Sequence, residues 1–133
     1  MELFQKILCP IDYDGQCRAS LDLARKIAEV TSARVYALHV ALTEPAEDVG
    51  REKGVTLRSK KIADEHLNGV EHEFVVRIGL PAVEVLDAAR DLGADLILIP
   101  THGREGLKRL VLGSVAEHII RESNIPVLTV RKS

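Results

Sequence analysis

The stretch 95-DLILIPTHGREGLKRLVLGSVAEHI-119 joins an apolar strand signal, a glycine-marked basic loop and the start of an amphipathic helix. Asp95–Pro100 (DLILIP) is a short, nearly continuous apolar run, the pattern of a strand covered on both faces. Before it, Ala82, Val85, Leu86 and Ala89 repeat at helical spacing. Pro81 sits in that helix's first turn, where no intrahelical N–H is lost, and Gly93 closes it as a C′ residue. After it, Ser114–Glu122 reads as a short helix and Pro126–Arg131 (PVLTVR) as a last strand.

The same alternation continues toward the amino terminus. Glu73–Ile78 (EFVVRI) is a strand ended by Gly79, and Pro45–Leu67 is a polar-rich helix with the weakest periodicity in the chain. Arg34–Ala41 (RVYALHVA) is another strand. Ser20–Thr31 is a helix carrying Leu23, Ala24, Ile27 and Ala28 on one face. Lys6–Asp12 (KILCPID) opens the series, and Asp14-Gly15 makes the turn behind it. Five strands separated by helix-length connections imply parallel pairing, with right-handed crossovers placing helices on both faces. Ligands of such sheets bind beyond the carboxyl ends of the strands, where strand order reverses. Two of those ends carry unusual chemistry: Asp12 after the first strand and the loop after the fourth.

Composition narrows the function classes. A chain of 133 residues with 46% hydrophobic and 29% charged side chains is one ordinary globular domain, spanning 1–133. A net charge of −2 supplies no basic field for nucleic acid. No apolar run approaches the length of a bilayer span, and Met1–Lys6 lacks a signal-peptide pattern, so a cytoplasmic location without membrane contact is expected. Cys9 and Cys17 show no CxxC or zinc spacing; Cys9 reads as a small buried hydrophobe, and Cys17 as a turn or first-helical-turn residue. The five histidines are scattered, which argues against a metal centre.

The loop is the most informative segment. Three of the nine glycines, Gly103, Gly106 and Gly113, fall within it. Glycine lets backbone approach a ligand and line up N–H groups as an anion cradle. The helix opened by Gly113-Ser114 adds a dipole worth about 0.3–1 kcal/mol toward negative charge. Arg104, Lys108 and Arg109 place positive charge nearby. Neither a Walker motif nor GxGxxG is present. Plainer roles stand beside these. Ser114-x-x-Glu117 has the form of a capping box, Gly103 and Gly106 suit simple turns, the basic residues suit a solvated face, and Asp12 suits a turn with Asp14-Gly15. His102 has no visible nucleophile or acid beside it.

Taken together, KILCPID, the ALHV strand, DLILIPTHGREG, LVLGSVAEHII and IPVLTVRK resemble the universal stress protein (UspA-like) family along essentially the whole chain. The resemblance implies an open Rossmann-like (flavodoxin-like) α/β sheet in the order 3-2-1-4-5, with its reversal between the first and fourth strands. The family's nucleotide-binding branch is marked by Gly, two residues, Gly, nine residues, then Gly-Ser/Thr. Gly103, the spacer Arg104–Leu112 and Gly113-Ser114 match, whereas the first glycine position is Pro100. Gly106 then lies inside the spacer.

By resemblance, Asp12, following Pro10 and Ile11, meets the ribose and adenine edge, and Val40 offers backbone hydrogen bonds to adenine. Gly103, Gly113, Ser114 and Val115 contact the phosphates, with Arg104 alongside, and Ile99 and Pro100 line the ribose side. The resemblance also implies a homodimer through the last strand, Val127, Leu128, Thr129 and Val130, and an unidentified signalling partner. The implied ligand is ATP, or ADP or AMP, with Mg2+ on the phosphates.

Pro100 cannot donate an N–H and fixes φ near −65°, so retained but weakened binding is expected. The competing readings are a stress protein of the same fold that acts only through protein contacts, and a phosphoacceptor receiver domain. The receiver needs an aspartate ending the third strand, where the chain reads Val75-Val76-Arg77-Ile78-Gly79. No catalytic constellation is evident, so no enzymatic role beyond slow ATP hydrolysis is expected.

Overall fold

The computed structural model of the chain describes residues 3–11, 17–41, 49–100 and 113–131, with the side chains of 49–52 excepted. The elements run β1 (Lys6–Pro10), α1 (Arg18–Thr31), β2 (Arg34–Ala41), α2 (Val49–His66), β3 (His72–Ile78), α3 (Pro81–Leu92), β4 (Leu96–Pro100), α4 (Ser114–Glu122) and β5 (Val127–Val130). All five strands are parallel in one sheet ordered β3-β2-β1-β4-β5. The expected topology is the observed one. Strand order reverses between β1 and β4, because β2 and β3 were laid to one side of β1 and β4 and β5 to the other.

Side chains alternate across each strand, and this sorts the core into two layers. Ile7, Cys9, Val35, Ala37, Leu96 and Leu98 face α1 and α2, meeting Leu21, Ala24, Ile62 and Leu67. Leu8, Leu38, Ile97 and Ile99 face α3 and α4, meeting Val85, Ala89, Ala116 and Ile119. The central strands β1 and β4 are apolar on both faces for this reason, whereas β3 and β5 lie at the edges and expose alternate side chains.

Helix boundaries follow local chemistry. Pro81 fills the first position of α3, and Gly93 ends it at φ 70°, a left-handed conformation that costs glycine nothing. Several boundaries differ from expectation: β1 ends at Pro10 rather than Asp12, α1 begins at Arg18 rather than Ser20, and β5 spans Val127–Val130 rather than Pro126–Arg131. The expected start of α2 at Pro45 lies outside the described residues, which take the helix up at Val49. Cys9 and Cys17 are both fully buried, Cys17 as the residue preceding α1. Burial among apolar neighbours pushes the Cys9 thiol up to about 12, with its Sγ 3.7 Å from Ser20 Oγ. Among the described residues, no helix is long and apolar enough to cross a membrane.

Candidate functional site

The reversal point is also where the sheet is least zipped. β1 holds five register pairs with β2 but only two with β4, Ile7↔Leu96 and Leu8↔Ile97. Hydrogen bonds at the rim give the direction of each backbone group, because successive residues of a strand address opposite neighbours. Ile11 N–H donates to the Leu38 carbonyl at 2.8 Å, so residue 11 faces β2 and Pro10 faces β4. In the same phase as Pro10, the Lys6 carbonyl accepts the Asp95 N–H at 2.9 Å. On the other strand, Ile97 N–H donates to the Pro126 carbonyl at 3.0 Å. Residue 97 therefore faces β5, and Leu98 and Pro100 face β1. Two prolines thus confront each other across the carboxyl end of the β1–β4 seam. Proline is tolerated in a central strand only where its ladder stops.

β2 outruns β1 at this rim. The Ala41 carbonyl accepts the Gly79 N–H at 2.9 Å and so faces β3, which turns the backbone of Val40 toward β1, past Ile11. Its side chain is half-buried against the α3–α4 layer. The arrangement suits the backbone contacts to a flat ring that the resemblance assigns to Val40.

The amino end of α4 completes the rim. β4 and β5 are parallel, with Ile97 opposite Val127, so the helix between them runs back and opens at the carboxyl side of the sheet. Ala116, in its first turn, lies in the same buried cluster as Ile99. The structure corrects the capping box here. Gly113, extended at φ −62° and ψ 157°, is the N-cap, and Ser114 is the first helical residue. The Gly113 carbonyl accepts the Glu117 N–H at 3.0 Å, and among the described residues no side chain caps the helix. Ser114 and Val115 are exposed, and their N–H groups precede the first intrahelical donor. An uncapped helix start with exposed N–H groups is able to receive an anion.

The sequence-derived residues therefore fall into three groups. Pro10, Ile11, Val40, Ile99, Pro100, Gly113, Ser114 and Val115 come together along the rim of β1, β2, β4 and α4. Ile99 and Ile11 are buried there, so their side chains form the floor rather than the surface. Asp12, Gly103 and Arg104 lie outside the described residues. Val127 and Val130 are half-buried on edge strand β5, while Leu128 and Thr129 are exposed.

Two features were not anticipated. One is the carbonyl of Leu98, aimed at Pro10. The other is Asp95, whose carboxylate accepts the N–H groups of Gln5 at 2.8 Å and Lys6 at 3.2 Å and clamps the opposite end of the seam. The paired prolines at the ends of two apolar runs were the available signal for the first. Asp95 carried none, since its partners lie 90 and 89 residues away.

Comparison with known proteins agrees with this architecture. The family model described as "Universal stress protein family" matches residues 3–131. A universal stress protein of Methanocaldococcus jannaschii is 33% identical over 142 residues, covering 98% of this chain and 84% of the relative. A universal stress protein of Archaeoglobus fulgidus, solved in complex with dAMP, superposes with a TM-score of 0.72 at 21% identity, covering 97% of this chain and 98% of that one. A further universal stress protein, solved in complex with cAMP, gives 0.75 at 20% identity over 98% and 99% of the two chains.

Proposed function

The chain belongs to the universal stress protein family, and on that premise we propose that it binds an adenine nucleotide and acts in stress response or signalling as a homodimer. The observation that carries this reading is the uncapped start of α4, with Gly113 at its head, beside the open end of the β1–β4 seam. A phosphate group would meet the N–H groups of Ser114 and Val115 and the positive end of the helix dipole. The nucleoside would lie along the rim toward Val40. Relatives of the same fold solved with cAMP and dAMP support an adenine nucleotide as the ligand class, with ATP, ADP and AMP as the ligands to test.

Mg2+ enters as a companion of the phosphates. Among the described residues, no group of three or more His, Cys, Asp or Glu side chains is placed to hold a metal ion. Binding rather than catalysis is the proposed role, with at most slow hydrolysis. Dimerisation is assigned to β5, an edge strand of the sheet that presents Leu128 39% exposed.

Titration calorimetry with ATP tests the reading. Saturable heat is expected for the native chain, with affinity at least tenfold lower for Gly113→Val, about 1.4 kcal/mol, and little change in melting temperature. Gly113 is extended at φ −62°, a backbone that valine also adopts, so the substitution blocks approach without straining the chain. No heat at millimolar ATP, and no nucleotide released on denaturing the purified protein, would overturn it. That outcome would favour the second reading, a family member working through protein contacts alone, for which Pro100 at the first motif position is the specific support.

A further inference from the structure

Edge strand β3 carries a pattern that nucleotide binding leaves unused. Among the described residues it pairs with β2 alone, and its sequence HEFVVRI holds no proline or lysine to keep the edge from pairing. Phe74, Val76 and Ile78 share the face that packs on α1 and α2. Val76 is 44% exposed and Ile78 65%, so apolar surface stays in water along the strand. The Glu71 carbonyl accepts the Val35 N–H at 3.0 Å, and the Gly79 N–H donates to the Ala41 carbonyl at 2.9 Å. Odd-numbered residues of β3 therefore address β2, and the backbone groups of His72, Phe74, Val76 and Ile78 point outward.

We propose that β3 is an interface for a second copy of the chain, which adds its own β3 antiparallel across a two-fold axis at Val75. The strand is complementary to itself in that register. Phe74 lies opposite the partner's Val76, and His72 opposite the partner's Ile78, in the hydrogen-bonded positions that outward-pointing groups require. Between them Val75 meets the partner's Val75, and Glu73 meets the partner's Arg77, where side chains come closest. The exposed flanks of Val76 and Ile78 are covered, and acid faces base on both sides of the axis. Arg77 is already held by Glu84 and Asp91 at 3.0 Å each, so this charge pair serves register more than strength. Sliding by one residue turns the side-chain rows to opposite faces. Sliding by two leaves only 72–76 or 74–78 in register, and sliding by four sets Glu73 against Glu73 or Arg77 against Arg77. β3 and β5 are opposite edges of the sheet, so this contact stands apart from nucleotide binding and from the dimer assigned to β5.

The test is cross-linking in the full chain, whose native cysteines are buried and do not compete. Across the axis the Cα atoms at position 75 would stand about 4.5 Å apart, within the roughly 4.4–6.8 Å that a disulfide spans. Under mild copper–phenanthroline oxidation, Val75→Cys should form a covalent dimer faster than Val30→Cys, a site 86% exposed on α1, by roughly tenfold or more. Adding Val76→Lys should bring the rate down to that of Val30→Cys, because an edge lysine opposes strand pairing. Cross-linking of Val75→Cys no faster than that of Val30→Cys would overturn the inference. Fast cross-linking that survives Val76→Lys in a folded chain would overturn it too. Should Val75→Cys fail to fold, sedimentation equilibrium of the native chain against Val76→Lys at millimolar chain decides. The mean mass should fall about twofold in Val76→Lys, and an unchanged mass would remove the interface whatever β5 does.

Discussion

At its amino end the seam between β1 and β4 is clamped by a carboxylate, and at its carboxyl end it is held apart by two prolines. Asp95 takes the N–H groups of Gln5 and Lys6 and returns its own N–H to the Lys6 carbonyl, while Lys6 Nζ reaches the Leu92 carbonyl at 3.2 Å. Every one of those groups finds a partner within the fold. At the other end, Pro10 and Pro100 withhold the donors that two further rungs would need. The same pair of strands is thus spent on stability below and on vacancy above. Open parallel sheets place ligands at such a reversal, and here the opening is written into residue type rather than left to strand twist alone.

Between the two ends the strand is dry, and this gives the largest effect. Cys9 precedes Pro10 by one residue, yet burial holds its thiol up at about 12 against an ordinary 9.0. The thiolate population at pH 8 is then roughly a thousandfold lower than for an ordinary cysteine, before access is considered. Iodoacetamide should leave Cys9 unmodified in the folded chain over hours and label it within minutes in guanidinium. Rapid labelling of native Cys9, located by peptide mapping, would mean that the opening at Pro10 runs down into the core.

Breaking the lower clamp comes next in size. Asp95→Ala leaves two backbone donors without their acceptor at a half-buried position, a cost of about 2 kcal/mol in chemical denaturation. Nucleotide affinity should stay within about twofold, because the clamp lies at the end of the seam away from the rim. A tenfold loss of affinity in a folded Asp95→Ala chain would show the two ends to be coupled, and would end the division of labour between them.

Much of this was legible in the sequence, and unevenly so. β2 was bounded correctly at Arg34 and Ala41, and α3 at Pro81 and Gly93, because a buried strand and a proline-to-glycine helix announce their own limits. α2 carries little periodicity on its polar face, and its expected start at Pro45 lies outside the described residues. Ser-x-x-Glu is a local pattern that points to Ser114 as the cap, whereas the extended backbone of Gly113 makes that residue the N-cap. The direction of the Leu98 and Pro10 carbonyls was not legible. It follows from register, which is settled by pairing between segments nearly ninety residues apart.

A carboxylate on the far side of the molecule sharpens the contrast through its small effect. Asp64, on α2, accepts Lys60 Nζ at 2.7 Å and meets His72 Nε2 at 3.2 Å, so like Asp95 it has two partners. Its partners are side chains, and it is 45% exposed. The hydrogen bond from Lys60 is the main cause that lowers its pKa below the usual 3.8, opposed by partial burial and helped by the hydrogen bond to His72. A carboxyl lowered in the folded state stabilises the fold above its unfolded value, and that contribution disappears as pH falls through the folded value. Screening limits it to about 0.5 kcal/mol. Asp64→Asn should therefore cost about that much at pH 6 and nothing by pH 2, in denaturation curves run at fixed ionic strength. A loss at pH 6 as large as that of Asp95→Ala would mean that the number of partners sets the strength of a carboxylate clamp. The predicted gap of about 1.5 kcal/mol instead assigns it to what the partners are, since buried backbone donors have no alternative acceptor while exposed cations have water.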